Sequence, residues 1–195
     1  MGGDPRARWD ERHAAARLRA PDPLLLEAVD GVPPGRALDV ACGLGRHALA
    51  LAARGWRVTA VDVSPVAVER LRAEAARRGL ARRIDAAVVD LEAEAAAAVL
   101  PPGPFDLVAV LYFACRPLWP ALCDAVRPGG RVVTAAHVAP PGDRPHRYAL
   151  APGELAAPLR ARGWRIVCDR LVAGRHRDRP AQVAQVIAIR PPGAP

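Results

Sequence analysis

The sequence predicts an α/β protein: a doubly wound, mostly parallel sheet of seven strands that ends in an antiparallel hairpin. Three observations predict it. Short apolar runs alternate with amphipathic stretches along nearly the whole chain, the pattern of strand–helix–strand units. Residues 36–62 place a glycine turn, Gly43-Leu44-Gly45, between the first apolar run and an Ala/Leu-rich stretch, with an acid, Asp62, ending the second run. The last two apolar runs, 164–173 and 181–190, lie too close for a crossover helix, so they are expected to pair antiparallel.

The elements follow in order. The first 35 residues read as two helices, 8–18 and 24–29, split by Pro21-Asp22-Pro23. Strand one occupies 37–41, and the helix after the glycine turn stops at Gly55. Strand two spans 57–62. Ser64-Pro65 then starts a helix, with a hydroxyl N-cap and proline at the first helical position, and Gly79 stops it after Arg78. Strand three is 84–89, followed by Asp90. The acidic, Ala-rich stretch 91–100 reads as a helix and Pro101-Pro102-Gly103-Pro104 as a loop. Strand four, 105–111, is an unbroken apolar run suited to a buried parallel sheet. A helix at 117–126, a Pro128-Gly129-Gly130 turn and strand five at 131–137 come next. A Pro-rich loop covers 139–148. The chain closes with a helix at 153–162, strand six at 164–173, a polar turn at 174–180 and strand seven at 181–190.

At 195 residues the chain is expected to form one domain, 1–195, large enough to bury a core without staples. It leaves no room for the separate substrate domain of a nicotinamide dehydrogenase. Cys42, Cys115, Cys123 and Cys168 show neither a CxxC pair nor metal-ligand spacing, so neither zinc nor a disulfide framework is expected. No apolar run is long enough to span a bilayer, and the N-terminus lacks a signal-peptide core. A soluble, cytoplasmic protein without a membrane partner is the expectation. The formal net charge is +8, yet all 28 Lys-plus-Arg positions are arginine. These arginines are scattered on helix faces, Arg70, Arg72, Arg77 and Arg78 among them, with no aromatics interleaved. That favours a solvated surface over a nucleic-acid partner. The absence of lysine excludes a P-loop lysine, a Schiff-base lysine and the Tyr-x-x-x-Lys pair of short-chain dehydrogenases.

Glycines at the first strand-to-helix turn let the backbone and the helix N-terminus press against a ligand. A carboxylate about 20 residues further on accepts from both hydroxyls of a ribose. A ribose-bearing cofactor is therefore expected. Gly43-Leu44-Gly45-Arg46-His47-Ala48 formally fits the dinucleotide pattern GxGxxG/A, which keeps a nicotinamide dinucleotide among the candidates.

Asp39 shifts the balance. The string Asp39-Val40-Ala41-Cys42-Gly43-Leu44-Gly45 resembles motif I of the class I S-adenosylmethionine-dependent methyltransferases, whose usual pattern has a small residue where Ala41 stands. Asp62-Val63-Ser64-Pro65 resembles their second motif, Phe105-Asp106-Leu107-Val108 their fourth, and Arg127-Pro128-Gly129-Gly130 the turn before strand five. Trp9-Asp10-Glu11-Arg12-His13 is similar to the Trp-Asp-x-Arg-Tyr opening of tellurite-resistance and thiopurine-methyltransferase-like members. Pro152-Gly153-Glu154-Leu155 looks like an element of the tellurite-resistance branch. The resemblance covers about residues 8–190. It implies a Rossmann-like sheet in the order 3-2-1-4-5-7-6, S-adenosylmethionine as cofactor, and a helical segment, 1–35, capping the cofactor site.

The resemblance also implies roles. Asp39 would steady the glycine loop and, through water, the methionine amino group. Ala41 and the amides of Gly43 and Gly45 would face the methionine and ribose. Asp62 would take the ribose hydroxyls, with Val63 packing on the adenine. Asp90 would accept from the adenine amino group, with Leu91 beside it, unless it simply caps the next helix. Leu111 would line the methionine moiety. Arg12 would pair with the cofactor carboxylate, which suits a guanidinium fork, unless it is a plain helix-surface charge.

A methyl group on a sulfonium is already a good electrophile, so holding donor and acceptor in line supplies much of the acceleration. A thiol or a metalloid oxyanion attacks without help, whereas an oxygen or nitrogen acceptor often wants a base. His137, at the tip of strand five, is the best-placed candidate base, and Tyr112, just past strand four, is the next. A histidine that merely packs is the plainer alternative. His146 and Arg147, with Arg144, lie on the following loop as candidate acceptor contacts. Cys42 reads as a small residue in a crowded turn rather than a redox group. The expected function is methyl transfer from S-adenosylmethionine to a small-molecule acceptor, with no metal and no nucleic acid. A nucleotide-cofactor-binding protein without transferase activity and, behind it, a nicotinamide oxidoreductase remain the alternatives.

Overall fold

The computed structural model describes residues 4–93, 96–140, 149–176 and 179–193. The chain divides into two compact units, Met1–Pro102 and Gly103–Pro195. Its strands run in the order β3-β2-β1-β4-β5-β7-β6, the order that the family resemblance implies.

The first unit contains α1 (Pro5–Ala15), α2 (Pro23–Val29), β1 (Arg36–Val40), α3 (Arg46–Ala53), β2 (Arg57–Asp62), α4 (Pro65–Arg77) and β3 (Ile84–Val88). One local device starts three of its four helices. Asp4, Asp22 and Ser64 each accept a hydrogen bond from an amide of the first turn, and each is followed directly by proline. The cap satisfies an orphan donor, and proline sets φ where no N–H is needed. This explains why α1 begins at Pro5 rather than at residue 8; it ends at Ala15, short of the expected 18. β1 pairs parallel with β2, Arg36 opposite Arg57 through Val40 opposite Val61, and β2 pairs parallel with β3. Ala37, Leu38, Val58, Ala60, Val61, Leu49, Leu51, Trp56 and Leu71 fill the core. Each large apolar side chain so buried contributes roughly 1.5–3 kcal/mol.

The described residues of 91–100 do not form the expected helix; among them only a 3-10 turn at Ala96–Val99 appears. Asp90 Oδ1 accepts from the Glu92 amide at 3.0 Å, a local turn that competes with helix initiation. The prolines at 101 and 102 bias the far end against helix as well.

The second unit contains β4 (Phe105–Leu111), α5 (Trp119–Ala125), β5 (Val126–Val138), α6 (Ala157–Ala161), β6 (Arg165–His176) and β7 (Arg179–Ile189). β4 and β5 pair parallel, while β7 pairs antiparallel with both β5 and β6, the expected terminal hairpin. The Pro128-Gly129-Gly130 turn survives as an irregularity: Phe105 pairs with Val126 but Leu107 with Arg131, so the intervening residues bulge out of the ladder. Arg190 donates to the carbonyls of Cys123, Asp124 and Val126 and closes the C-terminus of α5. α6 is shorter than the expected 153–162 because Pro158 falls in its first turn and admits no helix far upstream. Among the described residues no helix is long and apolar enough to cross a membrane.

Gly45 is the packing constraint of the first unit. It lies at φ +77°, and a Cβ there would stand 2.2 Å from Leu71 Cδ1. Gly45→Ala is expected to destabilise the chain by ~2–4 kcal/mol, overpacking and left-handed strain combined. Adding Leu71→Ala should cost less than the sum of the two single changes, because the cavity admits the new methyl. A double-mutant cycle by urea unfolding checks this coupling.

Candidate active site at the glycine turn

β1 ends at Val40, and five residues carry the chain into α3. Ala41, Gly43 and Gly45 take positive φ (55°, 53° and 77°). For Ala41 the left-handed conformation costs about 1–2 kcal/mol. Turns in which left-handed residues alternate with ordinary ones aim successive amides into one concavity, a cradle for negative or polar ligand atoms. Gly45 caps α3 without a side chain to bond its amides. Asp39 supplies what is missing: its Oδ2 accepts from the Ala48 amide, 3.0 Å away, in the first turn of α3.

Asp62 fastens the other side. Its Oδ2 accepts from the Gly43 amide at 2.7 Å and its Oδ1 from the Ser64 amide at 3.0 Å. The carboxylate is 5% exposed. A carboxylate has about four acceptor positions, so each oxygen retains capacity beyond these bonds. Val63, half-buried, follows at once, and the Val89 amide bonds the Asp62 carbonyl at 2.9 Å. Asp90 is exposed one residue further on, next to buried Leu91.

α1 lies against this turn. His13 Cε1 stands 3.2 Å from where a Cβ on Gly43 would be. Asp10 Oδ1 accepts from the Ser64 hydroxyl and from the Val66 amide. From α4, Arg70 donates to the carbonyls of His13, Ala14 and Ala16 at the C-terminal end of α1. One helix is thus tied at its middle and at its C-terminal end to the element that follows Asp62. Arg12 is exposed, with its guanidinium over the Trp9 ring at 5.0 Å, while Trp9 stacks on His13 at 5.6 Å. So the residue of this motif that reaches the glycine turn is His13, not Arg12. Sequence reasoning missed His13, Asp10 and Arg70. The available signal was helical spacing, which sets Asp10 and His13 three apart on one face.

Burial shapes the electrostatics. Asp39 is 1% exposed, and its pKa is pushed up to about 7 by burial and by Asp62, against the pull of the Ala48 amide and Arg46. Burial, with both acids adding, drives the Cys42 thiol well above its ordinary value. Burial also lowers the pKa of His13, helped by Arg12 and Arg70 against Asp62 and Asp10. His47 drops to about 3, chiefly by burial and then by Arg46, with Asp22 opposing. Its Nε2 is buried without a hydrogen-bond partner among the described residues.

In the second unit, Leu111 is buried at the end of β4. Tyr112 follows at φ 65°, its amide held by the Ala135 carbonyl at 2.7 Å. Left-handed backbone at a tyrosine is costly and clusters at functional positions. The Tyr112 ring is 43% exposed and tilts against His137 of β5, centroids 5.6 Å apart. Glu154 pairs with Arg116 and accepts from the Ala151 amide, which holds the Pro152–Leu155 element in place. Arg144, His146 and Arg147 lie outside the described residues. Among the described residues no group of three metal-ligating side chains converges.

Residues 37–130 match a family described as "Methyltransferase domain". A ubiquinone biosynthesis O-methyltransferase of Xylella fastidiosa (strain 9a5c) is 31% identical over 185 residues, covering 80% of this chain and 72% of the relative. The chain belongs to the class I S-adenosylmethionine-dependent methyltransferases. Among solved structures, TehB from Haemophilus influenzae superposes with a TM-score of 0.74 at 18% identity over 95% of this chain. The chain spans 66% of that protein's length. The [4+2]-cyclase SpnF superposes at 0.71 with 21% identity, covering 92% of this chain and 86% of that one. At such identities these likenesses establish the fold, and a cyclase among them shows that the fold does not dictate the reaction.

Asp39 and His47 make opposite contributions to stability. Between about pH 3 and 6.5 the unfolded chain protonates His47 and the native chain does not, so this group favours folding more as pH rises. Between about pH 4 and 7 native Asp39 holds a proton that the unfolded chain has lost, so its contribution falls as pH rises. Relative to the unmodified chain, His47→Asn should therefore lose stability with rising pH between 4 and 6.5, and Asp39→Asn should gain it. Each slope should approach at most ~1.4 kcal/mol per pH unit. Urea unfolding at a series of pH values measures both.

Proposed function

We propose that the chain transfers the methyl group of S-adenosylmethionine to a small-molecule acceptor in the cytoplasm, with residues 1–35 capping the cofactor site. The observation that carries this reading is Asp62: a buried carboxylate at the tip of β2 that already clamps the glycine turn and keeps acceptor capacity on both oxygens. In this reading Asp62 takes the ribose hydroxyls, and Val63 and Leu91 flank the adenine. Asp90, exposed at the end of β3, accepts from the adenine amino group. Ala41, Gly43 and Gly45 present their amides to the methionine portion, which Leu111 also lines. Asp39 holds the start of α3 and supplies negative charge beneath the turn. His13 covers the front of Gly43, and Arg12 waits at the surface for the cofactor carboxylate. The cofactor supplies a methyl carbon bound to a sulfonium, a good electrophile without further activation.

On the acceptor side, Tyr112 and His137 form the paired group. The left-handed backbone of Tyr112 sets its ring against His137, and for an acceptor with an ionisable O–H or N–H the proposed role of His137 is to remove that proton. His146 and Arg147 are proposed to contact the acceptor's polar end. For such an acceptor, His137→Ala should slow turnover ~10²-fold or more at unchanged cofactor affinity. For a thiol or metalloid oxyanion the change should be small, because that nucleophile needs only to be positioned.

Incubation with methyl-labelled S-adenosylmethionine and panels of phenols, heterocycles, thiols and metalloid oxyanions tests the reading. Label should pass to one class, with S-adenosylhomocysteine formed in equal amount. Cofactor binding with no transfer to any class would instead favour a binding protein without transferase activity. Asp62→Ala should weaken cofactor binding by ~2–3 kcal/mol, the range for charge-assisted hydrogen bonds lost from a buried site. An unchanged dissociation constant would place the ribose elsewhere.

A further inference from the structure

Two buried acids serve one turn, and they are not equally provided for. Asp62 receives two amides. Asp39, 1% exposed at the end of β1, receives only the Ala48 amide among the described residues. The charged and titratable groups that act on it are Asp62 of β2, which repels its negative form, and Arg46 of α3, which favours it. Arg46 also donates to the Ala20 carbonyl at 3.4 Å. Cys42, in the turn itself, stays a neutral thiol. A carboxylate that is dry, singly bonded and beside a second carboxylate is better off protonated.

We infer that a cationic ligand seated on the glycine turn expels a proton from Asp39, so that binding and proton release are one coupled event. The inference rests on the turn being the cofactor site. S-adenosylmethionine carries a sulfonium and an ammonium against one carboxylate, so its arrival adds net positive charge beside Asp39. That charge favours the ionised carboxyl, and the proton leaves to solvent. The free protein begins from the right place, since Asp39 titrates at about 7. The ligand therefore meets a mixture of the two forms at neutral pH. Binding selects the ionised one, and affinity follows the fraction already ionised. Asp62 is the ligand's hydrogen-bond partner, whereas Asp39 acts as a charge that is switched on beneath it.

Isothermal titration of the intact chain with S-adenosylmethionine in phosphate and in Tris counts the protons, since the two buffers differ in ionisation heat. At pH 7 about half a proton should be released per ligand bound, and affinity should rise about tenfold from pH 6 to pH 8. Asp39→Asn keeps an oxygen for the Ala48 amide. It should bind without that release and with a flatter pH profile; the ligand's own titration is common to both proteins and cancels in the comparison. Should Asp39→Asn fail to fold, carbon-13 NMR of the aspartate carboxyls in the unmodified chain reads the same event. One signal should titrate near neutrality in the free protein and stay ionised when S-adenosylmethionine is bound. Equal proton release from both proteins, or no aspartate titrating above pH 6 in the free chain, overturns the inference and leaves the cofactor reading standing. No binding of S-adenosylmethionine at any pH overturns both.

Discussion

The carboxylate of Asp62 is the constraint on which the first unit is organised. One oxygen holds the amide of Gly43 and the other the amide of Ser64. The same side chain therefore fixes the glycine turn after β1 and the start of α4 after β2. Everything near the turn refers back to it. Ser64 caps α4 and donates to Asp10, α4 carries the Leu71 that requires glycine at 45, and Arg70 closes the end of α1. Loss of that carboxylate removes an acceptor from two buried amides at once, and a buried donor without a partner costs about 1–3 kcal/mol each. A residue that resembles a ligand contact is thus first a structural clamp, and the ribose contact proposed for it would use the acceptor capacity the clamp leaves.

Much of this was legible in the sequence, for local reasons. β4 occupies the unbroken apolar run Phe105–Leu111, and Ser64-Pro65 starts α4 as cap and proline dictate. The terminal hairpin followed from a gap too short for a crossover. In the site, Asp39, Gly43, Gly45 and Asp62 are found together because one βαβ unit brings them together. What the sequence hid depends on distant partners. Helical spacing puts Asp10 and His13 on one face, but not what that face meets: His13 reaches Gly43, and Asp10 reaches Ser64 across 54 positions. The helix expected at 91–100 is missing from its described residues for the opposite reason: an acidic, Ala-rich composition reads as helix, while the Asx turn at Asp90 sets the path.

The site is acidic in an otherwise basic chain of net charge +8. Asp39 and Asp62 share the turn with no guanidinium bonded to either among the described residues. In a dry environment this arrangement is expensive by itself and suits a ligand that brings positive charge. A nicotinamide dinucleotide, carrying a diphosphate, brings the opposite. The formal dinucleotide pattern at Gly43–Ala48 therefore loses to the charge of its surroundings: Ala48, its third position, is the residue whose amide Asp39 holds.

That contrast of charge is what a single binding measurement resolves most directly. Titration of the intact chain at neutral pH with S-adenosylmethionine and, separately, with NAD compares the two ribose cofactors on one site. S-adenosylmethionine should bind with roughly micromolar strength and NAD negligibly. NAD binding as tightly as S-adenosylmethionine, or more tightly, would contradict the assignment of the glycine turn to a cationic methyl donor.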